Sequence, residues 1–339
     1  MKPSVKQFGF RILLVKQLNL ESGGYMNIIV TGSAGFIGSQ LTEKFLVDGH
    51  KVTGIDAFRD YYPKKIKLKN LRKSTTYPLF TFIEKDLTMI PNPELIDLLT
   101  SADVVVHLAA QAGVRASWGA NFDIYLRDNI LATQKLLEAA KGCNLKKFIY
   151  ASSSSIYGNI NTFPVSEDTL PNPFSPYGVT KLAGEKMCLL YWLNYGVPVV
   201  CLRYFTVYGP RQRPDMGIYK FIKSLLNDNQ IIVYGDGNQT RDFTYVDDIL
   251  QANYLAIQGL SGNIYNIGGS QQVTVNELIF LLERFIGKRA KIKYTEKQKG
   301  DVNSTSADIT KARQELGYKP LTDIEKGLNA QIRWMQEGV

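Results

Sequence analysis

The sequence predicts an α/β protein: a Rossmann-type, doubly wound parallel sheet joined to a smaller α+β lobe that binds a ligand beside it. Three observations carry this. From Met26 onward, short runs rich in β-branched residues alternate with longer helical stretches. A glycine-rich turn, TGSAGFIG at 31–38, falls where the first such run passes into the first helical stretch. A single acidic residue, Asp56, then ends the second run.

Taken in order, the runs NIIVT (27–31), KVTGI (51–55), FTFI (80–83), DVVVHL (103–108), KFIYA (147–151) and VPVVCLR (197–203) are apolar nearly throughout. Strands buried on both faces read this way, which implies parallel pairing. Helices are expected between them over 36–47, 93–100, 121–141 and 175–195. The last opens with Pro176, a residue tolerated in a first helical turn. Beyond Gly209 the alternation loosens into IIVYGDG, RDFTYV and IYNIGG, followed by helices near 276–285, 308–316 and 323–336. The reading is therefore a dinucleotide domain over 26–205 and a second lobe made mainly of 206–339, with some of its segments returning to the first sheet.

Residues 1–25 stand outside this pattern. They place Lys2, Lys6, Arg11 and Lys16 around a short apolar run that Arg11 interrupts, and no small-residue cleavage pattern follows. No stretch approaches the roughly 20 apolar residues of a membrane span. The 339 residues, 45% of them hydrophobic, are enough for a full core. Three cysteines without CxxC spacing suggest a reducing cytoplasm, and two isolated histidines suggest no metal site. The net charge of +9 gathers in clusters at 64–73 and 284–299. A solvated surface is the preferred reading of these clusters; nucleic acid or anionic lipid is the competing one.

The turn at 31–38 has the chemistry of a pyrophosphate cradle. Gly32, Gly35 and Gly38 permit a sharp bend and a close approach, while Phe36 and Ile37 open a helix whose N-terminal amides suit an anion. Asp56 stands where a carboxylate accepts hydrogen bonds from an adenosine ribose and repels a 2′-phosphate, which favours NAD over NADP, although Arg59 lies close by. Asp86 and Leu87 follow the third strand and are placed at the adenine. Leu108, Ala109 and Ala110 are placed on the nicotinamide side.

The fifth strand ends in ASSSSIYG (151–158), and strand ends of such sheets face the ligand crevice. Further along, Tyr177 and Lys181 in SPYGVTK share one helix face. With these motifs, and with HLAAQ, RYFTVYGPRQRPD and RDFTYVDD, the chain from Met26 onward resembles the extended short-chain dehydrogenase/reductase family. The resemblance implies that Tyr177 transfers a proton, that Lys181 binds the nicotinamide ribose and tunes Tyr177, and that Ser153 orients the substrate hydroxyl. Ser152 and Tyr204 join the expected cofactor contacts. An ammonium and a nicotinamide cation nearby would both favour the Tyr177 phenolate.

Within that family the segments AQAGVRASW (110–118) and PRQRPDM (210–216) are similar to those of UDP-glucuronate 4-epimerases. Ser154 and Ser155 stand where 4,6-dehydratases carry an Asp-Glu pair. The resemblance implies an NAD-dependent epimerase of a UDP-sugar acting through a 4-keto intermediate. Its alternatives are a UDP-glucose or UDP-N-acetylglucosamine 4-epimerase and a UDP-glucuronate decarboxylase. Thr206 and Arg213 are the expected grip on the sugar carboxylate, with Ser154, Ser155 and Arg115 nearby. Gly217, Ile218, Val233 and Tyr234 are expected to frame the uridine, and Arg241 with Asp301 the diphosphate. The family also implies a homodimer built on the helices over 121–141 and 175–195.

Overall fold

The computed structural model describes residues 24–338, so residues 1–23 of the N-terminal stretch lie outside the described residues. Strands β1 (Asn27–Thr31), β2 (Lys51–Asp56), β3 (Phe80–Glu84), β4 (Val104–His107), β5 (Lys147–Ser153) and β6 (Val199–Tyr204) are joined by β10 (Asn263–Ile267). They form one seven-stranded sheet in the order β10-β6-β5-β4-β1-β2-β3, parallel at every junction. Because β10 comes from beyond Gly209 yet pairs along β6, the late part of the chain closes the edge of the first sheet.

Strand alternation divides the core into two layers. Ile28, Val30, Val104, Val106, Ile149, Val200 and Leu202 lie in one cluster, and their neighbours Ile29, Val105, Phe148, Tyr150, Val199 and Cys201 in the other. This is why the central runs read as continuously apolar: both faces are covered. The remaining strands make two small sheets. β7 (Thr206–Tyr208), β9 (Thr240–Tyr245) and β11 (Gln272–Thr274) form one, and β8 (Gln230–Tyr234) with β12 (Lys291–Thr295) the other.

The helices that position the cleft are α1 (Phe36–Val47), α2 (Lys64–Leu71), α3 (Asn92–Thr100), α4 (Phe122–Tyr125), α5 (Ala132–Ala140), α6 (Pro176–Tyr195) and α7 (Gly217–Leu226). α6 starts where Pro176 predicts, and the Ser175 side chain caps it by accepting from the Gly178 amide at 3.1 Å. It ends on Gly196 at φ +69°, a left-handed cap. The segment expected as a helix over 121–141 is helical over 122–140 but not α-helical throughout. Between α4 and α5 lies a π-helical turn, Leu126–Leu131. It carries Asn129, fully buried, whose amide donates to the Gln111 carbonyl at 3.0 Å and to Thr180 Oγ1 at 2.9 Å, while its oxygen accepts from the Gln111 amide at 2.7 Å. Polar tertiary contacts therefore occur where the regular helical register breaks.

Beneath the C-terminal ends of β5 and β6 lies a buried ion pair. Arg203 donates to Glu185 through Nε at 3.0 Å and Nη2 at 2.7 Å, and the two side chains are 2% and 0% exposed. Ser152 donates to the same carboxylate at 2.7 Å, and Arg203 also reaches the Tyr157 hydroxyl at 2.6 Å and the Glu167 carbonyl at 3.1 Å. Stranding one such charge costs about 3–5 kcal/mol, whereas replacing both by apolar groups is far milder. Arg203→Met is therefore expected to lose about 3–5 kcal/mol in urea unfolding, and adding Glu185→Leu to recover a large part of it.

Candidate active site

A cleft of about 790 Å³ runs across the C-terminal ends of the large sheet. It sits over the point where β1 lies between β4 and β2, so that the chain departs in opposite directions along the sheet; ligands of open parallel sheets bind at such a point. The glycine turn forms its floor. Gly32 has φ +71°, and a Cβ there would meet the Ala109 amide nitrogen at 2.8 Å. A Cβ on Gly38 would lie 2.2 Å from the Gly32 carbonyl oxygen, so the first turn of α1 is drawn tightly onto the loop. α1 has no side-chain cap and no acidic residue in its first turn. Gly35, Phe36 and Ile37 line the same wall.

Asp56 is fastened to this turn, accepting from the Ala34 amide at 3.1 Å and the Phe58 amide at 2.8 Å. Burial pushes its carboxyl above the usual range, and those two bonds with the nearby Lys67 work against the shift. Arg59, the residue that weakened the preference for NAD, donates to Asp86 and, at 3.2 Å, to Asp128. Its guanidinium is thereby held between two carboxylates. Asp86 is also bonded by the Thr88 amide and hydroxyl at 3.0 and 2.9 Å, so its charge is already well partnered. Burial opposes that charge, and the Thr88 and Arg59 bonds outweigh burial to hold its carboxyl below the usual value.

Leu87, Leu108, Ala109, Ala110, Ser152, Ser153, Ser154, Ser155, Tyr177, Lys181, Tyr204, Thr206, Arg213, Gly217, Arg241 and Asp301 all line the cleft. Ser153 ends β5, and its hydroxyl accepts from the Ser155 amide at 3.1 Å, which fixes its direction. Burial pushes the Tyr177 phenol up, while a hydrogen bond with Ser153 and the charge of Arg213 pull it down. Lys181 is 4% exposed, with its Nζ 4.5 Å from the Tyr150 ring centroid, and burial lowers its pKa to about 8. Arg213, expected only at the sugar carboxylate, thus also favours the Tyr177 phenolate.

On the opposite wall, Arg213 is bound fork to carboxylate by Asp215, and Asp215 also accepts from the Tyr61 hydroxyl at 3.2 Å. Burial opposes the Asp215 charge, and Arg213 outweighs it, holding the carboxyl below its usual value. Arg115 reaches Asp301 at 2.7 Å and lies 4.2 Å from the Tyr234 ring centroid. Arg241 donates to the Thr240 carbonyl at 2.8 Å. Two of the residues expected at the uridine have buried side chains. Val233 and Ile218 are 1% and 3% exposed and pack in the core, because alternation along β8 and the inner face of α7 turn them inward. Tyr234, one residue on, faces the neighbouring hollow with Asp301 and Asn303.

Sequence reasoning missed Tyr61, Tyr125, Lys67, Asp215 and Lys220, which also belong to this cleft or touch its loops. Asp215 was readable, since it lies inside the quoted PRQRPDM. Tyr61 had no signal; it belongs to a loop whose path is set only by the fold.

Fold and cleft together define a Rossmann-type α/β protein that gathers a serine, a tyrosine and a lysine beside a dinucleotide-type turn. The chain belongs to the NAD dependent epimerase/dehydratase family, whose model matches residues 28–268. It is 41% identical to the UDP-glucuronate 4-epimerase of Thermodesulfobacterium geofontis over 92% of this chain and 96% of that one. It is 45% identical to an uncharacterized UDP-glucose epimerase of Bacillus subtilis over 91% of this chain and 98% of that one. Its structure resembles that of a Bacillus cereus UDP-glucuronic acid 4-epimerase solved with UDP-glucuronic acid and NAD, at a TM-score of 0.89 and 44% identity, covering 92% and 99% of the two chains.

The buried lysine yields a pH test. With a folded pKa of about 8 against the ordinary lysine value of 10.5, the unfolded chain binds more protons between those values, so Lys181 costs stability below pH 8 and the cost fades as pH rises to about 10.5. Lys181→Met is expected to gain stability relative to the parent at pH 7, by an amount on the order of 3 kcal/mol before packing losses. The difference should shrink steadily in unfolding curves recorded from pH 8 to 10.5.

Proposed function

We propose that the protein is an NAD-dependent UDP-glucuronate 4-epimerase, with the cofactor along residues 26–205 and the sugar nucleotide against 206–339. The observation that carries this reading is the meeting of Ser153, Tyr177 and the Arg213 fork in one cleft. The similarity to UDP-glucuronate 4-epimerases supports the substrate class. NAD fits the cradle at Gly32 and Gly38, where any side chain would collide, and Asp56 would meet its ribose. When bound, it supplies a hydride acceptor that later returns the hydride to the other face of the sugar.

The chain's own residues handle the proton and the carboxylate. Tyr177 takes the proton of the sugar 4-hydroxyl as phenolate and gives it back after the ketone has turned over. Ser153 donates a hydrogen bond to the same oxygen and holds it at the phenol. Lys181 contributes by binding the nicotinamide ribose. Thr206 and Arg213 grip the sugar carboxylate, with Ser154 and Ser155 beside them. Such a grip keeps the carboxylate bond out of alignment with the ketone, so that carbon dioxide is retained. Ser154 and Ser155 offer no acid-base pair for dehydration.

A second reading, a UDP-glucose 4-epimerase, is favoured by the Bacillus subtilis relative. Incubation with NAD and each UDP-sugar, followed by proton NMR of the products, separates the two. UDP-galacturonate is the expected product; formation of a UDP-pentose, or turnover of UDP-glucose alone, overturns the proposal. Tyr177→Phe is expected to retain NAD binding in calorimetry and to lose at least about a thousandfold in kcat.

A cytoplasmic homodimer completes the proposal. α6 exposes Val179 at 49%, Leu190 at 55% and Leu193 at 68% on one stripe, and the neighbouring π turn exposes Leu131 at 50%. A second copy applied along these helices would cover them. Leu190→Glu combined with Leu193→Glu should halve the mass measured by light scattering; an unchanged mass sinks this interface.

A further inference from the structure

Arg213 and Asp215 are joined through two bonds, Nε to Oδ1 at 2.9 Å and Nη2 to Oδ2 at 3.0 Å. Their side chains are 20% and 28% exposed, so both remain reachable from the cleft they line. Only Pro214 separates them, and its fixed φ keeps the two side chains in register. Tyr61 steadies the pair from the far side, with its hydroxyl 3.2 Å from Asp215 Oδ2 and its ring centroid 5.7 Å from the guanidinium. Tyr61 is itself confined, since a Cβ on Gly113 would come within 2.6 Å of its hydroxyl oxygen.

The Nε–Nη2 edge of a guanidinium binds one carboxylate in bidentate fashion at a time. A ligand carboxylate that takes this same edge of Arg213 must therefore displace Asp215. We propose that Asp215 is a built-in stand-in for the sugar carboxylate, holding the Arg213 fork until an acidic sugar nucleotide displaces it, and that this exchange is a determinant of acid-over-neutral selectivity. An acid sugar trades one carboxylate for another and leaves Arg213 compensated. A neutral hexose offers nothing to trade, so the fork stays closed on Asp215. The inference rests on the acid-sugar reading proposed above.

The test uses NAD-loaded protein carrying Tyr177→Phe, so that binding is read without turnover. Dissociation constants for UDP-glucuronate and UDP-glucose are measured by calorimetry with and without Asp215→Asn. Loss of a partly exposed competing pair predicts UDP-glucuronate binding up to about fivefold tighter, and UDP-glucose binding unchanged or weaker. Tyr61→Phe, which loosens Asp215 without removing it, should shift the same ratio in the same direction by less, and it serves if Asp215→Asn does not fold. Unchanged or weaker UDP-glucuronate binding in Asp215→Asn means that Asp215 only positions Arg213, and it overturns the proposal. Failure of the otherwise unmodified enzyme to turn over UDP-glucuronate would instead remove the underlying reading, and the inference with it.

Discussion

Glu185 and Arg203 are sealed from water, and a pair so placed is tolerated only because every strong bonding position is taken. Glu185 comes from the middle of α6 and Arg203 from β6, while the third partner, Ser152, comes from the end of β5. The elements that carry Ser153 and Tyr177 are thus locked to β6, whose end leads into Thr206. Tyr157 extends the lock by passing a bond from Arg203 to Asn266 on β10, at 2.6 and 2.7 Å. The strand that returns from the far end of the chain is fixed by the same polar core that sits under the reactive groups.

That lock also explains the environment of Lys181. Glu185 lies one turn further along α6 and would be its natural partner, yet its oxygens are given to Arg203 and Ser152. Lys181 is left with the Tyr150 ring and a buried position that disfavours its charge. Its proton is therefore more loosely held than that of an exposed lysine.

Part of each basic cluster is paired locally. Lys64 meets Glu84, Lys73 meets Glu43 at 3.4 Å, and Lys67 turns inward to bond the Arg59 carbonyl. In the second cluster Arg284 meets Glu325 at 2.6 Å, Lys288 meets Asp228 at 2.8 Å and Arg289 meets Glu283 at 3.2 Å. Exposed pairs of this kind add little stability but break up a uniform positive field. Within the cleft the same logic recurs with more consequence, because Arg115 and Arg213 each rest on an acid that a ligand would have to meet or replace.

By itself the sequence determined the alternation of strands and helices, the glycine turn with Asp56, and the helical start that brings Tyr177 and Lys181 to one face. These are local matters: apolar runs, backbone freedom and a period of 3.6 are written in neighbouring residues. Only the tertiary structure decided the rest. The helix over 121–141 breaks at a π turn where Asn129 bonds with Gln111 and Thr180, residues distant in the chain. Val233 and Ile218 turn into the core while Tyr234 faces outward, because the partner layer chooses which side of a strand or helix is inside. Tyr61 reaches Asp215 although the two lie far apart in the chain, and Arg213 and Tyr177 come to line one cleft, since such contacts depend on where separate loops converge in space.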